Sequence, residues 1–392
     1  MSVTAAKGFA AAGGAVGIKP AGAPDVAVVA TADGRPVPAA GVFTDNLAAA
    51  APVQVSREHL RQSAGHAAAV VLTSGNANAA TGPSGLHAAR GLCEVVADRV
   101  GVARHEVLVC QTGLIGVPFP AGVLPAVGDV VDGRGPGKAA GRAAATAIMT
   151  TDTAAKEAVA HLEGGGAGCT VGGMAKGAAM LAPHMATMLA VLTTDAAVTP
   201  GALRALLRAA VDDSFNTLTV DGCTSTNDTV LLLASGAAGP APVDRLGEAV
   251  AEVCRSLAAQ MAADAEGATK MARITVAGAA SDAEAHAAAR KVADSLLVKC
   301  SLNGADPYWG RVVSELGSAG VAFELDRVSV AYGGVAVCAE GAAAPHDATA
   351  VAAHLAGRVV EISCDLGIGD GRGAVLSCDL GHGYIDENRT TS

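Results

Sequence analysis

Short apolar runs alternate along this chain with alanine-rich stretches of helical period, the pattern of a layered α/β protein. Residues 26–30, 41–44, 69–74 and 107–112 are runs built mainly of Val, Ala and Leu that end on small or polar residues, and each reads as a strand. A helix is expected over about 85–100, with Ser84 as its cap and Gly101 as its stop. Apolar positions at helical spacing predict two more helices, over 200–213 and 246–267. A strand over 273–278 follows, and then a helix opened by Ser281. The Gly-rich stretches 132–138 (DGRGPGK) and 163–168 (EGGGAG) read as surface linkers. A composition break near 278–282 predicts a layered domain over 1–280 and a smaller C-terminal α/β domain over 281–392.

Composition adjusts this picture in three ways. Hydrophobic residues make up 51% of the 392 but aromatics only 2%, so Ala, Val, Leu and Gly must fill a substantial core. A net charge of −10 argues against a nucleic-acid surface, which needs clustered Lys and Arg. The nine cysteines form no CxxC pair and the ten histidines no HxxxH, which argues against structural zinc. Scattered, odd-numbered thiols fit a reducing compartment. With no run of eighteen apolar residues and a poor N-terminal signal-like stretch, the chain is expected to be cytoplasmic. The Gly-rich segments at 164–168 and 367–373 lack the Lys-Ser/Thr of a phosphate loop and read as turns.

The chemistry concentrates at Ala186-Thr187, within KGAAMLAPHMATMLAVLTTDA (176–196). A threonine hydroxyl is a weak nucleophile, but at a new chain terminus it carries its own α-amine as base. Attack of the Thr187 hydroxyl on the Ala186 carbonyl, followed by ester hydrolysis, would create that terminus. An Ala-Thr pair in an apolar run is more commonly core packing, and residue types alone leave both readings open. Acyl transfer also needs donors aimed at an oxyanion. The best local candidate is Thr112-Gly113 in QTGLIG (111–116), otherwise an ordinary strand-ending turn. Lys176 suits a carboxylate and Glu266 an ammonium, although lysines are usually solvated and Glu266 by itself reads more simply as a helix-end carboxylate in an acidic stretch. His184 is a potential proton carrier near the junction, more simply a packed neighbour. The carboxylates between Asp221 and Asp228 suit a turn network better than a metal site.

The segment from Met174 through Ala196 resembles the signature of the ornithine acetyltransferase family, the bifunctional glutamate N-acetyltransferases of arginine biosynthesis. Further likenesses are SGNANAATG (74–82), SFNTLTVDGCTSTNDT (214–229), DAEGATK (264–270) and DPYWGR (306–311), so the resemblance spans nearly the whole chain. It implies an αββα-layered fold of the N-terminal-nucleophile aminopeptidase type with a smaller C-terminal α/β domain. It implies self-cleavage before Thr187 into an α chain, 1–186, and a β chain, 187–392, that stay together as α2β2 or larger. Thr187 is then the nucleophile, Thr112 and Gly113 the oxyanion hole, and Thr150, Lys176, Thr187, Glu266, Asn388 and Ser392 the substrate-binding residues. The implied substrates are N-acetylornithine and glutamate, with no metal or organic cofactor and acetyl-CoA as a possible further donor. Three departures stand out. Gln111 replaces the usual Ser or Thr, Tyr308 replaces an Asn, and the terminus ENRTTS (387–392) lacks a Tyr, leaving Thr391 and Ser392 as alternatives for the last contact. Within the same chemistry, a water-accepting amidase or aminopeptidase is the rival. Outside it, the rival is an unprocessed binding protein.

Overall fold

The computed structural model describes residues 2–162, 168–181 and 188–389, so most of the 163–168 linker, the Ala186-Thr187 junction, His184, Thr391 and Ser392 lie outside it. The chain divides into two compact units, one of Met1–Asn216 with Thr224–Met261 and one of Thr217–Cys223 with Ala262–Thr391.

The strands of the first unit are β1 (Phe9–Gly14), β2 (Val26–Thr31), β3 (Val37–Phe43), β4 (His66–Ala67), β5 (Ala69–Asn76), β6 (Val107–Leu114), β7 (Lys156–Leu162), β8 (Cys169–Lys176), β9 (Leu189–Ala197) and β10 (Thr229–Pro240). Its helices are α1 (Ala51–Gln62), α2 (Gly82–Val100), α3 (Leu124–Asp132), α4 (Lys138–Ala147), α5 (Pro200–Asp212) and α6 (Val243–Ala263). Two sheets form, in the orders β1-β2-β5-β6 and β4-β3-β10-β9-β8-β7.

The unbroken apolar run of β2 shows why these layers stack. Its alternate residues Ala27 and Val29 join a core shared with Met174, Leu189, Val191 and Leu231 of the other sheet. Val26, Val28 and Ala30 point the other way, into a core with Leu92 and Val96 of α2 and Val127 of α3. A strand buried on both faces must be apolar throughout. On the far side of the second sheet, a side chain added at Gly173 of β8 would strike Val253 and Leu257 of α6. The order of layers is therefore helix, sheet, sheet, helix, the αββα arrangement. Small side chains permit the close approach, and α4 adds Ala144, Ala145 and Ala147 to the shared core.

Helix ends follow the expected chemistry with one correction. Gly101 closes α2 in a left-handed conformation, φ +82°, its N–H bonded to Ala97 O. Ser84 is not the cap: α2 begins at Gly82, and the Ser84 hydroxyl donates back to Thr81 O at 2.8 Å. Pro83 in the first turn lets the helix start earlier, because it lacks an N–H that would need a partner. The 132–138 stretch is pinned rather than loose, since Ala11 and Gly135 exchange backbone bonds of 3.0 and 2.9 Å.

The second unit holds β11 (Met271–Ala279), β12 (Ser329–Tyr332), β13 (Val335–Ala339), β14 (Ala342–Ala343), β15 (Val359–Asp365) and β16 (Gly371–Cys378). Its helices are α7 (Asp282–Asp294), α8 (Leu296–Asn303), α9 (Trp309–Gly317), α10 (Ala348–Leu355) and α11 (His382–Glu387). The sheet order is β14-β13-β12-β15-β11-β16, with one face packed on α7 through α10. Trp309 packs at the margin of that core. Ser281 caps α7, its hydroxyl accepting from Glu284 N–H. The boundary expected near 280 moves to Ala262, because β11 is an inner strand of this sheet, between β15 and β16, and cannot belong to the first unit.

Candidate active site

Thr112 and Gly113 lie inside β6, not in a turn after it, and the strand runs on to Leu114. Parallel pairing sets Gly75 of β5 beside Gly113, with a register shift at Asn76. Both glycines have positive φ, +102° and +130°. A Cβ at Gly113 would lie 2.3 Å from the Gly75 carbonyl carbon, so no other residue fits. The irregularity re-aims the strand end, as bulges beside active sites do.

Gln111 accounts for itself structurally. It is fully buried, its Nε2 donating to Thr73 Oγ1 at 3.1 Å and its Oε1 accepting from Asn78 Nδ2 at 2.8 Å. The longer amide locks the strand below Thr112 to the loop after β5.

Lys176 ends β8 and pairs in register with Leu189, the first residue of β9 and two beyond Thr187. Its Nζ donates to Thr112 Oγ1 at 3.4 Å. Behind it sits Asp152, a residue whose importance no local motif announced. Asp152 Oδ1 holds Lys156 Nζ at 2.7 Å and the Gly177 N–H at 2.8 Å. Its Oδ2 accepts from the Thr150 N–H at 3.0 Å and lies 3.9 Å from Lys176 Nζ. Burial would raise this carboxyl, but the ammoniums of Lys176 and Lys156 outweigh it and hold it at about 2. Thr150 and Lys176, assigned separately from the sequence, are thus oriented by one carboxylate. Lys19 also approaches, donating to Met149 O at 2.5 Å and Pro24 O at 2.9 Å, and its burial lowers its ammonium. The Lys19 loop is shaped by Asp25, which accepts the N–H groups of Val16, Gly17, Ile18 and Lys19 at 2.6–3.0 Å.

Thr187 itself is outside the described residues, but its neighbour Met188 is fixed on both sides. Asp228 Oδ1 accepts the Met188 N–H at 2.9 Å, and Met188 O accepts from the Thr229 N–H at 3.1 Å. The stretch from Asp221 to Asp228 is a turn network, as read, but it divides between the units: Asp228 serves the first, while Asp221 accepts from Tyr384 OH in the second.

Glu266 and Asn388 belong to the second unit and meet there. Asn388 Nδ2 donates to Glu266 Oε2 at 2.7 Å and to Tyr384 O at 2.9 Å. Gly267 permits this, because a Cβ there would lie 2.1 Å from Tyr384 N as α11 passes. Asp379 braces the segment by accepting from Thr269 and Lys270 N–H, both at 2.8 Å.

Comparison with known proteins places these residues in a family. The family model described as ArgJ matches residues 10–390. The arginine biosynthesis bifunctional protein ArgJ of Mycolicibacterium paratuberculosis is 49% identical, over 100% of this chain and 96% of its own. The protein of that name from Thermobifida fusca is 46% identical over 100% of both. Among solved structures, an ornithine acetyltransferase complexed with ornithine from Mycobacterium tuberculosis matches 46% of this chain and 94% of its own, with 41% identity and a TM-score of 0.41. With a family model spanning nearly every residue and near-half identity end to end, the chain belongs to the ArgJ family.

Proposed function

We propose that this chain is a self-processing acetyltransferase of arginine biosynthesis that carries an acetyl group from N2-acetylornithine to glutamate through an ester on Thr187. Acetyl transfer in arginine biosynthesis follows from family membership. One observation carries the residue assignment: Thr112, Lys176 and the strand leading out of Thr187 converge, with Lys176 Nζ 3.4 Å from Thr112 Oγ1 and in register with Leu189.

In the self-processing step the Thr187 hydroxyl attacks the Ala186 carbonyl and the acyl group passes from nitrogen to oxygen. Water then cleaves the ester, leaving an Ala186 carboxylate and a free Thr187 amine. That amine titrates near ~7.7–8.0 when unperturbed, well placed to take the hydroxyl proton. In transfer, Thr187 Oγ attacks the acetyl carbonyl of N-acetylornithine, the oxyanion rests on Thr112 and Gly113, and the amide C–N bond breaks. The amine proton returns to the leaving ornithine nitrogen. Glutamate then attacks the ester, its amine losing a proton as Thr187 regains one, and N-acetylglutamate leaves. One acyl-enzyme serving two substrates in turn gives ping-pong kinetics. Neither metal nor organic cofactor takes part, and acetyl-CoA is an alternative donor to the same hydroxyl.

Lys176 and Thr150 are assigned to the substrate, as are Glu266, Asn388 and a terminal hydroxyl at Ser392. The fragments are assigned to an α2β2 or larger assembly in the cytoplasm, and the sheet order supports the part of this reading that keeps the two fragments of one chain together. Strands β9 and β10, from beyond the cut, lie between β3 and β8 from before it. Separating the fragments would break two full rows of backbone hydrogen bonds.

The test is a Thr187→Ala variant on a denaturing gel beside an acetyl-transfer assay. A single full-length band without activity is expected. A cut, active variant would end the assignment.

A further inference from the structure

Two consecutive buried residues grip the two strands that the reaction must hold together. Asn227 Nδ2 donates to Gln111 O at 2.8 Å and to Ala77 O at 2.6 Å. Gln111 O belongs to the peptide that carries the Thr112 nitrogen. Because a trans peptide is planar, fixing that oxygen fixes the direction of the Thr112 N–H. The next residue, Asp228, accepts the Met188 N–H at 2.9 Å, and that nitrogen is bonded to the carbonyl carbon of Thr187. Adjacent Cα atoms lie ~3.8 Å apart across a trans peptide, so the two grips are joined by one short covalent step.

The grips are themselves held. Asp228 O accepts from the Thr44 N–H at 3.0 Å, the Asn227 N–H donates to Ser225 Oγ at 3.0 Å, and Thr229 Oγ1 donates to Asn227 O at 3.0 Å. Asn227 and Asp228 are 4% and 0% exposed, so neither has water to substitute for a lost partner. Asp228 Oδ2 is buried with no hydrogen-bond partner among the described residues, an arrangement that stability alone would not favour over an apolar side chain.

We propose that Asn227 and Asp228 form a positioning pair that sets the Thr187 nucleophile against the oxyanion residue Thr112, Asn227 by orienting the peptide before Thr112 and Asp228 by anchoring the peptide after Thr187. The inference rests on the acetyl-Thr187 reading above. It separates the two jobs chemically: Asn227 must donate, and Asp228 need only accept. Burial pushes the Asp228 carboxyl well above the ordinary range, against the Met188 N–H that favours the charged form.

The experiment compares Asp228→Ala, Asp228→Asn and Asn227→Ala with the unaltered protein. It follows the rate of chain scission, and then kcat and KM for acetylornithine on the processed fraction. A displacement on the order of 1 Å at reacting atoms costs about 10²-fold. Asp228→Ala and Asn227→Ala should therefore lose about 10²-fold in both scission rate and kcat, with KM changed less than about threefold. Asp228→Asn keeps an acceptor for Met188 and should recover most of that loss. Unchanged kcat in both alanine variants would overturn the pair, as would failure of Asp228→Asn to recover. Where Asp228→Ala does not fold, Asn227→Ala with Asp228→Asn decides by the same criteria. If the unaltered protein is uncut or takes up no acetyl group, the failure belongs to the acetyl-Thr187 reading instead.

Discussion

Replacing Asp152 by Asn keeps the shape of the side chain but leaves Lys156 and Lys176, 1% and 3% exposed, without their shared carboxylate. Removing one partner from a buried ion pair typically costs ~3–5 kcal/mol, because a buried charge loses its counter-charge. The pH dependence gives a second handle on the same interaction. The carboxyl lies at about 2 in the folded chain against an ordinary 3.8. At ~1.36 kcal/mol per pH unit that depression corresponds to about 2 kcal/mol. A depressed acid stabilises the fold above its unfolded pKa, so this contribution is fully present above pH 3.8 and disappears as pH falls to about 2. The assay is urea unfolding at pH 7 and across pH 4 to 2, in a Thr187→Ala background so that chain scission does not enter. Asp152→Asn should lower stability at pH 7 by several kcal/mol and flatten this acid decline. A variant within about 1 kcal/mol of its parent at pH 7, with the decline intact, would refute the claim that Asp152 organises the cluster.

Thr112→Ala should lower turnover about 10²–10³-fold if its hydroxyl donates to the oxyanion, read as kcat on processed protein. Gly113→Ala should unfold or inactivate the protein, since a methyl would sit 2.3 Å from Gly75 at φ +130°; circular dichroism with an activity assay distinguishes those outcomes from tolerance. Glu266→Gln should raise KM for acetylornithine more than it slows scission. Equal damage to both would mark Glu266 as a brace for Asn388 instead.

What was legible in the sequence was local. The runs at 26–30 and 69–74 became strands because strong apolar patterning leaves no alternative, and Gly101 ended a helix because the backbone there turns left-handed. The signature also brought Thr112 and Lys176 to the same place. What was missed depends on partners far along the chain. Asp152 reads as one acid in MTTD until Lys156 and Lys176 close on it. Gly113 reads as a turn residue until Gly75 lies against it. The boundary near 278 followed a change in composition, but the pairing of β11 with β15 and β16 decides where that strand belongs. Ser84 reads as a cap because capping residues are read from identity, while the helix begins at Gly82, three residues before the expected start.

The central claim is that one hydroxyl carries the acetyl group. The purified protein, incubated with N-acetylornithine and no glutamate, should yield two fragments by mass spectrometry. The second should begin at Thr187 and carry a single hydroxylamine-labile acetyl group on that residue, lost on addition of glutamate as N-acetylglutamate forms. An intact chain, a fragment starting elsewhere, or an acetyl group on any other residue would contradict the mechanism.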